Sequence, residues 1–140
     1  MRLVLDTNVI VTAMRSPAGA SAAVLMAVRR GELIIVANVA LALEYEATCR
    51  RPEHVTASGL KLSEVSVYID AVIAMAEPVE THFLWRPQLR DPADEMVLEA
   101  AVNGGAAGIV TFNGQDFGDI ARQFGIEVFS PAETLRRIKQ

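Results

Sequence analysis

The sequence predicts an α/β fold, a central parallel sheet of about five strands flanked by helices in a three-layer sandwich. Three observations lead there. The chain opens on a short run, Leu3-Val4-Leu5, that is apolar on both faces of the pleat, as a strand buried on both sides requires. Short apolar, partly β-branched runs then alternate with longer stretches of helical period, the order that right-handed βαβ crossovers produce. No repeat, low-complexity tract or linker divides the chain, so residues 1–140 read as one domain.

The first strand ends abruptly in Asp6-Thr7-Asn8. Open parallel sheets gather ligands at the carboxyl ends of their strands, so a carboxylate placed there is suited to a metal ion or to phosphate chemistry. The plainer reading is a cap on the following helix or turn, and this stretch alone does not separate the two. Residues 15–19, Arg-Ser-Pro-Ala-Gly, are turn-forming. From Ala20 to Arg30 the apolar residues recur with helical period, with arginines at the end and Gly31 as stop. Leu33–Val36 is a second buried strand. A helix from Val39 to about Arg51 is ended by Pro52, and residues 53–59 read as a polar connector. Another helix begins at Ser63 and runs to about Ala76, with Val65, Ile69, Val72 and Ile73 on its apolar side.

Glu77-Pro78-Val79-Glu80 suits a short edge strand, because proline is tolerated at edges. A loop over residues 82–89 carries Phe83 and Trp85. Asp91-Pro92-Ala93-Asp94-Glu95 has the layout of a helix start: Asp as cap, Pro in the first helical position, acids in the first turn. That helix stops at Asn103-Gly104-Gly105. Ala107–Phe112 is a further buried strand, followed by Asn113-Gly114-Gln115-Asp116 and a short helix that Gly125 closes. Ile126–Phe129 is the last strand. Ser130-Pro131-Ala132-Glu133 is a capping box opening a terminal helix to Lys139.

Composition narrows the function. With 51% apolar and 21% charged residues, the chain is globular rather than disordered. The single cysteine, Cys49, excludes an internal disulfide and fits a reducing compartment. The start of the chain lacks the pattern of a secretory signal, and no apolar run is long enough to span a bilayer, so a cytoplasmic protein with no membrane partner is expected. A net charge of −4 argues against a protein that coats nucleic acid. Arg29-Arg30, Arg50-Arg51, Arg86 with Arg90, and Arg136-Arg137 could rim a phosphate site, but the better expectation is solvated helix ends.

The acids carry the chemistry. Asp6 closes the first strand, Asp116 follows the strand ending at Phe112, Asp94 lies in the first turn of a helix, and Glu44 lies inside the helix after the second strand. In a parallel sheet, strand ends and the first turns of the following helices collect on one edge, so these acids can converge. Packed carboxylates repel, and burial raises their pKa values unless a cation compensates. An all-oxygen set without Cys or His favours Mg²⁺ or Mn²⁺ over Zn²⁺. Such ions activate water and stabilise the charge that develops in phosphodiester hydrolysis.

Four segments together carry a resemblance. They are Leu-Asp-Thr-Asn at 5–8, Leu-x-x-Glu-Tyr-Glu at 41–46, Arg-Asp-Pro-x-Asp-Glu-x-x-Leu-x-x-Ala at 90–101, and Ile-Val-Thr-x-Asn-x-x-Asp-Phe at 109–117. In that order and spacing the chain resembles the PIN-domain ribonucleases, and among them the VapC-like toxins of type II toxin–antitoxin pairs, over roughly Arg2 to Glu133. The resemblance implies a metal-dependent endoribonuclease with five parallel strands and an acidic pocket. It also implies an RNA substrate, a cognate antitoxin protein and a homodimer. Asp6, Glu44 and Asp94 match the three metal-binding acids, and Mg²⁺ or Mn²⁺ is the expected ion. Glu44 is preferred to Glu46 by the motif. Two residues apart on a helix is about 200° of rotation, so both cannot face one pocket.

The fourth position departs from the commoner Thr-x-Asp, because Thr111-Phe112-Asn113 stands there. Asn113 offers an oxygen without charge; Asp116 either supplies the carboxylate or caps the next helix. Thr7, Asn8 and Thr111 are expected to orient the acids by hydrogen bonds, or else simply to satisfy strand ends.

The alternative is a catalytically weak or inactive PIN-fold module that binds RNA or protein, motivated by Asn113. A receiver-like phospho-acceptor would need an Asp after the third strand and a late Lys, and neither occurs near Glu80 or Phe129. His54 and His82 lack a metal-ligand spacing and read as exposed loop residues, Cys49 as structural, and Phe83 and Trp85 as loop or partner anchors rather than base-stacking platforms.

Overall fold

The computed structural model describes residues 1–81, 89 and 91–139. The segment with His82, Phe83, Trp85 and Arg86, together with Arg90, lies outside the described residues. Strand β1 (Arg2–Leu5) leads into helix α1 (Thr7–Arg15) and, after a short turn, α2 (Ala20–Arg29). Strand β2 (Ile34–Ala37) is followed by α3 (Val39–Cys49), α4 (Pro52–Ser58) and α5 (Leu62–Met75). Strand β3 (Glu77–Pro78), α6 (Pro92–Asn103) and β4 (Gly108–Val110) come next. A 3₁₀ turn (Gly114–Asp116), α7 (Ile120–Gln123), β5 (Glu127–Phe129) and α8 (Pro131–Ile138) complete the order.

All five strands pair in parallel in the order β3-β2-β1-β4-β5, flanked by helices. The expected α/β sandwich is the fold. Leu3, Val4 and Leu5 are all 0% exposed, as a central strand covered on both faces must be. Pro78 does sit at an edge, where its missing N–H leaves no gap in the ladder. Among the described residues, no single helix is long and apolar enough to cross a membrane.

Three expectations are corrected. Residues 53–59 are not a connector: Pro52–Ser58 is a helix, opened by proline with Glu53 in its first turn and closed by Gly59 at φ 74°. It buries no residue, so no apolar stripe betrayed it. His54 accordingly lies half-buried on α4, where its Nδ1 faces Arg15 Nη1 of α1 at 3.3 Å. The helix after it starts at Leu62 rather than Ser63, with the Glu64 carboxylate accepting the Lys61 N–H at 2.9 Å. The segment after Asp6, unassigned from sequence, is α1.

Candidate active site

Strand order reverses at β1: the chain goes from β1 to β2 on one side and later returns to place β4 on the other. The crevice beyond the ends of β1 and β4 is therefore the topological switch point of the sheet. Asp6 directly follows β1 and Thr111 directly follows β4. The Asp6 N–H donates to the Val110 carbonyl at 2.9 Å, and the Thr111 hydroxyl donates to Asp6 Oδ2 at 2.6 Å. Thr111 Oγ1 also accepts the Asn113 N–H at 3.0 Å. One buried hydroxyl thus fixes both the Asp6 carboxylate and the turn leaving β4.

Helix α6 begins at the same edge. Asp91 caps it, accepting the Ala93 N–H at 2.9 Å, and so sets the first turn that carries half-buried Asp94. Asn38 follows β2 and caps α3 by accepting the Leu41 N–H at 2.8 Å, while its amide donates to the Met96 carbonyl of α6 at 3.3 Å. Glu44 lies half-buried on the flank of the α3 face formed by Leu41, Tyr45 and Thr48, and its Oε1 accepts the Thr48 hydroxyl at 3.1 Å. Glu46 points elsewhere, toward Arg50 at 3.7 Å.

Electrostatics shows which acids feel one another. Burial pushes the Asp6 carboxyl upward, the Thr111 and Thr7 hydrogen bonds oppose this, and the charges of Asp116 and Asp91 add to it. Every influence on Asp94 is upward, burial first, then the charges of Asp6, Asp91, Asp116 and Glu95, and its carboxyl is pushed up to about 6. Asp6, Asp94 and Asp116 therefore lie within electrostatic reach of one another. Glu44 is not among the charges acting on Asp6 or Asp94. Among the described residues, no three His, Cys, Asp or Glu side chains converge tightly enough to hold an ion as they stand.

Asn113 and Asp116 are both exposed, and Asp116 belongs to the 3₁₀ turn. It does not cap the next helix, a position held by Asp119. Of the residues expected to orient the acids, Thr111 does so with its side chain and Thr7 with its backbone N–H. Among the described residues, Thr7 Oγ1 and Asn8 Oδ1, on the two residues that follow Asp6, are buried without a hydrogen-bond partner, as is Ser21 Oγ. Buried oxygens without described partners on the two residues after Asp6, together with carboxyls that burial and like charge hold above their ordinary range, fit a hard divalent cation.

Two contributors escaped the sequence reading. Asp91, read there only as a cap, also adds its charge to the crevice. Tyr45 donates its phenol hydroxyl to the Leu5 carbonyl, and burial first, then the Asp6 charge, pushes that hydroxyl upward, so it stays a donor. Among the described arginines, Arg30 pairs with Glu32, Arg50 with Glu46, and Arg137 with Glu127 while its guanidinium lies 4.9 Å from the Phe129 ring.

Fold and crevice define an α/β protein with a parallel sheet and acidic side chains at its switch point, the place where such sheets take their ligands. Comparison with protein families matches residues 2–115 to the PIN domain, and the chain belongs to the PIN-domain family. PIN domains are generally nucleases and typically use divalent metals. The matched span ends one residue before Asp116. No curated protein and no solved structure matches the chain.

Proposed function

We propose that this chain is a Mg²⁺- or Mn²⁺-dependent endoribonuclease and the toxin of a toxin–antitoxin pair, acting as one domain in the cytoplasm. One observation carries the catalytic part. Asp6 and Asp94 sit at the switch point of the sheet, and burial together with neighbouring carboxylate charge pushes both upward, a state that a cation relieves. Asp6, Glu44 and Asp94 would hold the ion, with Asp116 and Asn113 contributing directly or through water. Bound there, the ion would supply a nucleophile from water near neutral pH and offset charge on the phosphodiester.

The chain's own residues prepare that site. Thr111 holds the Asp6 carboxylate through Oδ2, and Thr48 holds that of Glu44 through Oε1. Asn38 ties the helix of Glu44 to the helix of Asp94. Asp94 keeps its proton until about pH 6, so ion and proton compete for it. The toxin assignment, the antitoxin whose segment fills the pocket or groove, and the homodimer rest on the likeness of the four motifs to VapC-like toxins.

The second reading, a PIN-fold module that binds RNA or protein without turnover, is favoured by the neutral, exposed Asn113. A panel of defined RNAs incubated with and without Mn²⁺ separates the two. Cleavage only with the ion, abolished in a folded Asp6→Asn chain, supports the nuclease. Metal-indifferent RNA binding without cleavage supports the module. A small open reading frame directly upstream would support the toxin assignment.

A further inference from the structure

The chain has two tyrosines, and they make the same kind of bond in different places. Tyr68 of α5 donates its hydroxyl to the Ile10 carbonyl of α1 at 2.6 Å. Tyr45 of α3 donates to the carbonyl of Leu5, the last residue of β1. The first bond joins two helices, and neither of its residues is the immediate neighbour of an acid in the chain. The second joins the helix bearing Glu44 to the strand bearing Asp6, and each bonding residue is the immediate neighbour of an acid.

The geometry of the Leu5–Asp6 peptide sharpens this. In a trans peptide the C=O and the following N–H point in opposite directions. The Asp6 N–H points to β4, where it donates to Val110. The Leu5 carbonyl therefore points to the β2 side, where the paired register is Arg2 with Ile34 and Leu3 with Ile35. Tyr45 supplies a donor beyond that ladder. The peptide unit that carries Asp6 is clamped from both sides, by β4 and by α3. Tyr45 is 2% exposed, so a slide or rotation of α3 would strand a buried hydroxyl and a buried carbonyl.

We propose that Tyr45 is a positioning residue of the acid crevice: by clamping the Leu5–Asp6 peptide opposite β4, it fixes the helix that carries Glu44 against the strand end that carries Asp6. This rests on the metal-dependent reading given above. The tyrosine touches neither ion nor substrate and acts through the two acids beside its bond.

The test titrates Mn²⁺ alone into the full-length, metal-stripped chain, with free ion read by electron paramagnetic resonance. Tyr45→Phe removes one oxygen atom, and Tyr68→Phe removes the equivalent atom from the control bond. Tyr45→Phe should bind Mn²⁺ about tenfold more weakly, and Tyr68→Phe within about twofold of the unsubstituted chain. In a Glu44→Gln background, Tyr45→Phe should add less than it does alone, because the carboxylate on the helix it fixes is gone. Equal losses in the two Phe variants, or unchanged binding in Tyr45→Phe, overturn the role. An unsubstituted chain that binds no Mn²⁺ overturns the metal reading itself and the positioning role with it. Should Tyr45→Phe not fold, the natural sequence labelled with 3-fluorotyrosine decides. Bound Mn²⁺ should broaden the Tyr45 fluorine resonance well before that of Tyr68, and equal broadening overturns the proposal.

Discussion

The Thr111 hydroxyl meets Asp6 Oδ2 at 2.6 Å, joining the ends of two adjacent parallel strands that lie 105 residues apart in the chain. Both residues are buried, so the bond is short, charge-assisted and little screened. Thr111→Val keeps the shape and removes both the donor to Asp6 and the acceptor for the Asn113 N–H. It should cost about 1–3 kcal/mol, measured by urea denaturation, and should also weaken Mn²⁺ binding. Thr111→Ser should recover most of both. A Val variant as stable as the parent would mean that the hydroxyl is dispensable to the crevice.

Stability should respond to pH with a definite sign. Asp6 and Asp94 have carboxyls raised above the ordinary value of 3.8, so the folded chain binds these protons more tightly than the unfolded one. Their contribution is full below 3.8 and is lost as pH rises through the folded-state position of each group, which for Asp94 is about 6. In metal-free buffer, the denaturation midpoint of the natural chain should fall relative to Asp94→Asn across that window. Added Mn²⁺ should reverse the difference. Parallel curves for the two chains would remove the electrostatic argument for the crevice.

Asn38 does two jobs that substitution separates. Asn38→Ala loses the cap on α3 and the bond to Met96, and should destabilise the chain by about 1–2 kcal/mol. Asn38→Ser keeps a capping oxygen and loses only the tie to α6. It should recover most of the stability while leaving RNA cleavage impaired, since Asp94 rides on α6. Full cleavage by the Ser variant would show that the tie does not matter to the acids.

Gly108 marks a close approach between β4 and β5. A Cβ there would lie 2.5 Å from Phe129 Cε2 and 3.1 Å from the Glu127 carbonyl oxygen. Gly108→Ala should cost about 1–3 kcal/mol through overpacking. Gly108→Ala combined with Phe129→Leu should cost less than the sum of the two single changes, as thermal denaturation of all three would read. Strict additivity would place the strain elsewhere.

What the sequence by itself determined about this protein lies in local pattern. Leu3-Val4-Leu5 is legible as a doubly buried strand because period and composition are properties of neighbouring residues. So are the caps at Asp91-Pro92 and Ser130-Pro131, since a cap satisfies an N–H two or three residues away. The order of the four acidic segments was enough to point to the family, which the match over residues 2–115 bears out. Helix α4 escaped because a helix that buries nothing has no apolar stripe to read. Only the tertiary structure decided that Asp91 joins the crevice, that Asp116 caps no helix, and that Tyr45 bonds the strand beneath Asp6 rather than simply filling core. These depend on which strands become neighbours. Tyr45 and Leu5 are 40 residues apart, Thr111 and Asp6 105; electrostatic and hydrogen-bonding forces act through space, and sheet order alone sets those distances.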